Sequence, residues 1–450
     1  MKKNFSLSGM PDFNTLQIKR REFLISIIKK KFQSFGFKPI ATSLIEKRDN
    51  LFGSYGTDGD KLIYQIVRSG DYLNKLNIDF QNINYNELSQ NICDKALRYD
   101  LTIPFARFIA SNQADINFPF KRYEVGSVFR ADRPQKGRFR QFTQCDADII
   151  GSNSLWLEIE LINLIDSVIS EFGLNDLTIK INNRKILEGV FESFSSNLDF
   201  SNFCIILDKL DKIGFNGVRQ LFLTNGFVNN DLDLLCNLFE LNGSFLDKKE
   251  FLLSKFKINS NLEKGLNELS FIFNKINIET IKQNIEIDFS LARGLDYYTG
   301  TIFELVTSNF SGSLAGGGRY DQLTEKFDLK DLSGVGISFG LDRLCLLLEQ
   351  SNLFPLDIDD NIDFVFLNFG DQEADVAQSY IIKLRDFSVS AELYPDKVKI
   401  NKQMKYAHKR GAKFVVMIGE QEMKQSKMLV KNMSTGEQQV LTFKELINTL

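Results

Sequence analysis

Two stretches of strand-like alternation, Phe120 to Arg130 and Gln141 to Gly151, flank a loop with five cations in the eleven residues from Arg130 to Arg140. Pro134 and Gly137 break that loop, so the segment predicts a hairpin with Arg130 at its base and Arg138 at its tip. Arginine grips phosphate or carboxylate through two parallel N–H donors, and a hairpin fixes where those donors point. The segment is a device for holding a polyanion in one pose. Along its second arm Arg140, Phe142, Gln144, Asp146 and Asp148 share a face, because strand side chains alternate. Such a face cannot be apolar core. It is either the wet side of a surface hairpin or a pocket wall, with Gln144 and Asp148 reaching a small polar substrate and Arg130 a phosphate.

Elsewhere the sequence narrows the chemistry by exclusion. The chain of 450 residues has a net charge of -3, so any nucleic-acid contact must come from local patches. No apolar run approaches the roughly 18 residues of a membrane span. The first residues lack the apolar centre of a secretory leader. Cys93, Cys145, Cys204, Cys236 and Cys345 are scattered, with no CxxC pair. They read as reduced thiols of a cytoplasmic protein, neither a disulfide framework nor a zinc site. The single histidine, His408, is remote from every motif. Catalysis by a Ser-His-Asp or Cys-His arrangement and a His- or Cys-held metal are therefore not expected. Arg, Gln, Asp, Tyr and backbone must do the work, with magnesium brought by a nucleotide.

Residues 16–35 have helical spacing, and Phe37 to Ile45 predicts a strand. Gly70 to Lys95 is polar and Asn-rich and reads as a long loop. Leu97 to Ala110 starts extended and turns helical after Pro104. Leu155–Phe172 predicts a helix and Leu177–Asn182 a strand. From about 195 to 283 the pattern is helical without a single Pro, which reads as an inserted helical subdomain. Strand spacing resumes at Ile285, followed by a Gly-rich turn at Ala315–Gly318 and a strand from Gly334 that enters a helix near Leu341. A linker at 351–361 separates residues 1–350 from a smaller domain, 362–450, in which strands and helices alternate.

Three further segments carry chemistry. Asp100 and Thr102 end a short extended run; a carboxylate beside a hydroxyl suits an ammonium group, and equally caps a following helix. Arg293 sits in an apolar strand context next to Gly294, with Tyr297 and Tyr298 behind it. A buried arginine needs an anion, either Asp296 or a substrate. Gly334–Arg343 lacks the spacing of a dinucleotide-binding GxGxxG. It offers instead a strand packed closely on a helix start. Arg343 lies in the first turn, where a cation is disfavoured unless it has a ligand.

These segments resemble the class II aminoacyl-tRNA synthetases and, within them, the histidyl-tRNA synthetase family. The Arg-rich hairpin resembles the second signature motif of the class and Gly336–Arg343 the third. Leu97–Thr102, Leu291–Tyr298 and Ser8-Gly9-Met10-Pro11-Asp12 resemble segments particular to the histidine enzymes. The implied fold is an α/β (α+β) catalytic domain, its mixed, mainly antiparallel sheet flanked by helices. A helical insertion and a small C-terminal α/β anticodon-binding domain complete it. The first motif normally holds a proline where this chain has Ser43, with Pro39 four residues earlier, which bears on the details of a dimer interface.

The resemblance also implies roles. Arg130 would hold the α-phosphate of ATP and the carboxylate of histidine, Arg138 the outer phosphates, and Arg343 the adenine and γ-phosphate. Asp100 and Thr102 would take the α-ammonium and Gln144 would support the carboxylate. Asp148 with Tyr298 would read the imidazole, and Tyr297 would join the histidine site. Arg293 would sit at the reacting carboxylate and α-phosphate, which makes Arg130 and Arg293 the catalytic pair. Partners would be histidine, ATP with Mg2+, the tRNA for histidine and a second copy of the chain.

Residues 396–431 hold ten Lys/Arg against three Asp/Glu, a local surface for an RNA backbone or simply a solvated helical face. The resemblance to an anticodon-binding domain favours RNA. The alternative reading is a catalytically inactive relative that serves as the regulatory subunit of an ATP phosphoribosyltransferase in histidine biosynthesis. Such relatives usually lack the C-terminal domain and the catalytic arginines, and both are present here.

Overall fold

The alternation in the arms of the Arg-rich segment organises the larger of two compact units, Met1–Phe354 and Pro355–Leu450. The computed structural model describes residues 6–73, 84–195, 198–293, 297–308, 312–359 and 362–448. In the first unit, β1 (Lys38–Pro39), β5 (Phe120–Phe129), β6 (Gln141–Ile150) and β7 (Thr178–Asn183) join β8 (Asn284–Ile287), β9 (Thr301–Val306), β10 (Ala315–Tyr320) and β11 (Gly334–Gly340). They form an eight-stranded sheet in the order β1-β5-β6-β11-β10-β9-β7-β8. The end pairs β1·β5 and β7·β8 are parallel and the inner pairs antiparallel. A separate sheet in the same unit holds β2 (Ile45–Lys47), β3 (Gln65–Val67) and β4 (Cys93–Leu97).

One face of the large sheet is apolar. Cys145, Ala147 and Ile149 of β6, Val335, Ile337 and Phe339 of β11, and Phe303 and Leu305 of β9 are buried there. They share a core with Leu24, Ile28 and Phe32 of helix Thr15–Ser34 and with Leu161, Ile165 and Ile169 of helix Trp156–Glu171. Each such side chain contributes roughly 1.5–3 kcal/mol on burial. A slip of one residue in β6 would drive Gln144, Asp146 and Asp148 into that core, so the register is fixed.

Several elements differ from the sequence reading. Phe37–Ile45 is not one strand: β1 is a two-residue edge piece holding Pro39, where a missing N–H costs nothing. Ser43 lies between it and β2. Within Gly70–Lys95, Tyr85–Ile92 is a helix and Cys93 opens β4, while residues 74–83 lie outside the described ones. The helix expected after Pro104 begins at Thr102, with Pro104 in its first turn, where no intrahelical N–H is needed. Ala315–Gly318 is strand rather than turn. β10 packs so closely that a Cβ on Gly317 would lie 1.9 Å from the Gly336 carbonyl oxygen. The helical stretch starts earlier than expected, with helix Arg184–Phe191. Its later members share the core of the sheet through Phe203, Phe222, Leu232 and Leu262.

The second unit has a five-stranded sheet, β13 (Ala391–Leu393), β12 (Ile362–Phe366), β14 (Ala412–Met417), β15 (Met428–Asn432), β16 (Gln438–Leu441), in that spatial order. Helix Asp371–Asp386 packs on it through Ala377, Ile381 and Leu384. Helix Ile400–Lys409 presents exposed Lys402, Lys405 and Lys409 at helical spacing along one side.

Candidate active site

The other face of the large sheet is a polar trough. Across it run Arg122, Glu124 and Gly126 of β5, then Asp148, Asp146 and Gln144 of β6. Gly336, Ser338 and Gly340 of β11 follow, then Gly318 and Gly316 of β10. The glycines matter because they leave space. A Cβ on Gly336 would stand 1.9 Å from Asp148 Oδ1, and one on Gly316 would stand 1.6 Å from Arg293 Nη1.

Asp148 and Arg122 form a buried pair at 2.7 Å, and the Tyr320 hydroxyl donates to Asp148 Oδ1 at 2.8 Å. Arg122 also lies 3.9 Å from Glu124 and covers the Phe105 ring. One cation thus serves several buried carboxylates. Asp146, 2% exposed, has its pKa pushed up to about 8 by burial, with Asp148 adding to the rise and Arg122 opposing it. The Asp148 carboxyl is raised as well, again chiefly by burial. Both folded and unfolded chains hold the Asp146 proton at low pH. As pH climbs from the ordinary carboxylate value towards about 8, the unfolded chain releases it first, so stability falls across that interval. An Asp146→Asn variant is expected to flatten this fall, measured as the change in urea midpoint between about pH 5 and about pH 8.

At one wall Asp100 closes the start of helix Thr102–Ser111. Its Oδ1 accepts the N–H groups of Thr102 (3.2 Å) and Ile103 (3.1 Å) and the Tyr55 hydroxyl (2.9 Å). Both readings of this segment therefore meet in one residue. One oxygen caps the helix, while Oδ2 is buried with no hydrogen-bond partner among the described residues. Tyr297 and Tyr298 follow on the same side of the site. The two rings lie 4.7 Å apart, and Tyr297 meets the Tyr320 ring edge-on. Burial first, then charged neighbours that include Asp100, keep both phenols protonated well past neutral pH.

The arginines form the remaining boundary. Arg130 Nε donates to the Tyr99 carbonyl at 3.1 Å, and its guanidinium lies 4.2 Å from the Tyr99 ring centre and 5.2 Å from that of Phe142. Arg138 pairs with Asp132 at 2.8 Å. Arg343 donates to the carbonyls of Gly137 and Ser313, tying the hairpin tip to the loop before β10. Arg293 adopts a left-handed φ of 49°, donates to the Phe303 carbonyl and stands 3.6 Å from Glu304. Its alternative partner, Asp296, lies outside the described residues. Burial lowers the Arg343 pKa, and so do Arg138, Arg130 and Arg293, with Glu304 opposing. Arg138, Arg130 and Arg293 thus all bring their positive charge to bear on Arg343. That is the electrostatic signature of a site that awaits a multivalent anion.

Every expected site residue borders this region, but Arg140 does not line the trough. The strand begins at Gln141, and Arg140 turns to donate to the Asp132 and Ser8 carbonyls. Its N–H and that of Gln141 reach Gly9, so the segment Ser8–Asp12 braces the base of the hairpin. The sequence reading missed Arg122, Tyr55, Ser338 and Glu304. Arg122 was accessible: it alternates with Glu124 and Gly126 in the first arm as Gln144 does with Asp146 in the second.

Residues 94–344 match the family model described as histidyl-tRNA synthetase, and residues 363–450 match the anticodon-binding domain. A histidine–tRNA ligase from Christiangramia forsetii is 46% identical, with 98% of each chain covered. One from Cytophaga hutchinsonii is 41% identical over 100% of both chains. A histidyl-tRNA synthetase structure from Nostoc sp. superposes with a TM-score of 0.77 at 29% identity, covering 100% of each chain. A Bacillus halodurans structure described as an ATP phosphoribosyltransferase regulatory subunit/histidyl-tRNA synthetase shares the fold, with a TM-score of 0.70 at 18% identity. It covers 93% of this chain and 98% of its own.

Proposed function

The chain belongs to the histidyl-tRNA synthetase family, and from that premise we propose how its side chains activate histidine and pass it to tRNA. The activity is that of an ATP-dependent histidine–tRNA ligase, with histidine, ATP and tRNA as substrates. In the first step the carboxylate of histidine attacks the α-phosphorus of ATP and pyrophosphate leaves. That nucleophile is already ionised at neutral pH, so no protein base is needed. The step requires alignment and cations around a phosphorus centre that gathers negative charge. The convergence of Arg130, Arg138, Arg293 and Arg343 is the observation that carries this reading.

Arg130, at the hairpin base, bridges the carboxylate and the α-phosphate, and Arg293 faces it across the reacting atoms. Arg138 and Arg343 hold the outer phosphates, and Arg343 also covers the adenine. Asp100 Oδ2 and Thr102 receive the α-ammonium. Asp148, oriented by Arg122 and Tyr320, reads the imidazole with Tyr297 and Tyr298. Gln144 changes its role. Its Nε2 donates to Ser338 at 2.7 Å, which leaves an acceptor, Oε1, without a partner among the described residues. An acceptor suits the ammonium and repels the carboxylate. A site that must hydrogen-bond the imidazole rejects apolar analogues by roughly 10⁴–10⁵, so no editing site is required.

Among the described residues no three His, Cys, Asp or Glu are placed to hold a metal ion. Magnesium keeps much of its water shell and favours phosphate oxygens, so it would enter on ATP. When bound it supplies charge neutralisation at the outer phosphates. The lysines of helix Ile400–Lys409 face the RNA backbone around the anticodon. Exposed Ile45 and Val67 on the small sheet of the first unit, with Leu44 just before it, favour a homodimer. Five cysteines, three of them buried and none in a disulfide among the described residues, favour a cytoplasmic location.

The purified protein is expected to exchange pyrophosphate into ATP only when histidine is present, and then to charge the tRNA for histidine. Exchange with a different amino acid would overturn the substrate assignment. Histidine binding without exchange would favour the regulatory reading over catalysis.

A further inference from the structure

The trough face does not end at β10. Gly318 and Gly316 oppose Ile302 and Glu304 of β9, which in turn oppose Asn182 and Lys180 of β7. Ile179 and Ile181, which alternate with them, belong to the apolar core on the other face. Asn182 is therefore a trough residue, and it is wholly buried. None of the chemistry above uses it.

The segment that follows β8 is held to β7 at successive points. The Asp288 N–H donates to the Ile181 carbonyl at 3.1 Å, and Lys180 pairs with the Asp288 carboxylate at 2.7 Å. Leu291 packs with Ile302 and Tyr298. Asn182 Nδ2 donates to the carbonyls of Phe289 at 3.3 Å and Leu291 at 2.9 Å. Arg184 Nη1 donates to the Ala292 carbonyl at 3.3 Å. An amide NH2 has two protons, and both are taken here by backbone oxygens that can only accept. A reversed amide would set oxygen against oxygen, so its partners fix which way Asn182 points.

The next residue is Arg293. Its φ of 49° is a conformation that a residue other than glycine keeps only when its surroundings hold it. Asn182 fixes the peptide between Leu291 and Ala292, and Arg184 the peptide between Ala292 and Arg293. From that second plane the Arg293 side chain runs past Gly316 to the Phe303 carbonyl, 3.6 Å from Glu304. A tilt of either plane would carry the guanidinium off that spot, because a long side chain magnifies a rotation at its base.

We propose that Asn182 is a positioning residue: by giving both amide protons to the Phe289 and Leu291 carbonyls it holds the left-handed backbone at Arg293 and aims the guanidinium at the α-phosphate of ATP. That role rests on the reading of Arg293 as the arginine of adenylate formation. Asn182 itself touches no substrate. Its loss lets the segment relax and slows the chemistry. Histidine binding is spared, because its proposed contacts, Asp100, Asp148 and Arg130, stand on other elements.

The test follows single-turnover adenylate formation and equilibrium binding of L-histidine in the full-length protein and in Asn182→Leu, which is branched alike and lacks both donors. Adenylate formation is expected to slow by about 10²-fold, the penalty of an ångström-scale misplacement, while histidine affinity changes by less than about threefold. The same substitution is then made in an Arg293→Ala background. There it should cost less than about a further threefold, because the group it positions is gone. Asn182→Ser keeps one donor and should fall between the parent and Asn182→Leu. Measured in the same two backgrounds, it decides alone should Asn182→Leu fail to fold. An unchanged rate would overturn the role. So would a matching loss of histidine affinity, or a second full loss in the Arg293→Ala background, either of which marks general disruption. If the parent shows no histidine-dependent exchange, or Arg293→Ala keeps the parental rate, the reading of the site fails. If Arg293→Ala is slow and the Asn182 variants are not, only the positioning role fails.

Discussion

An Arg130→Ala variant is expected to lose about 10³-fold in kcat/KM for histidine-dependent exchange, roughly 4 kcal/mol of transition-state stabilisation. The guanidinium is held from three sides before any substrate arrives. Tyr99 and Phe142 lie against it, and its Nε is spent on the Tyr99 carbonyl. What remains are the Nη donors, held in the plane of the guanidinium. A group so restrained loses little further freedom when it binds the carboxylate and α-phosphate, so its binding energy is available in the transition state. Arg130→Lys should recover little, because an ammonium cannot reproduce two parallel N–H donors. Its protein hydrogen bond goes to a backbone carbonyl, and Asp100 keeps its bonds from Tyr55, Thr102 and Ile103, so the thermal midpoint should move by only a few degrees. Retention of more than about a tenth of the exchange activity would sink this role.

The hairpin was legible because its arms alternate and its loop is broken by Pro134 and Gly137. Once Phe129 pairs with Gln141, Arg122 must oppose Asp148, so even the buried ion pair follows from register. The glycine strand β10 was not legible. Glycine has no side chain to alternate, and only pairing on both sides makes Ala315–Gly318 a strand rather than a turn. Tyr85–Ile92 was hidden for another reason. Its sequence, Tyr-Asn-Glu-Leu-Ser-Gln-Asn-Ile, is too polar and Asn-rich to announce a helix. The orientation of Gln144 depends on a neighbour nearly two hundred residues away. No local pattern encodes that contact. The meeting of the hairpin arginines with Arg293 and Arg343 is of the same kind, since those two come from distant segments of the chain.

Arg293→Ala separates chemistry from binding more sharply than any other change. The variant is expected to lower kcat for adenylate formation by about 10³-fold while histidine affinity changes by no more than about threefold. Arg293 reaches its place at a cost. Its backbone is in the left-handed region, its side chain occupies space that only a glycine at 316 leaves open, and it lies among other cations. Among the described residues its polar contacts are one backbone carbonyl and a carboxylate at 3.6 Å, too long for a strong hydrogen bond. Glu304 thus steers the guanidinium without neutralising it. In the proposed site Asp100, Asp148 and Arg130 would meet the ammonium, imidazole and carboxylate ends of histidine, so ground-state binding would have little need of Arg293. The α-phosphate does need it, because negative charge accumulates there only as the carboxylate attacks. Single-turnover adenylate formation together with equilibrium titration of histidine reads the two quantities separately. Equal losses in both would make Arg293 a ground-state ligand of the carboxylate. A loss confined to kcat would place its whole contribution in the transition state, where the strain at 293 and the bare backbone at 316 are repaid.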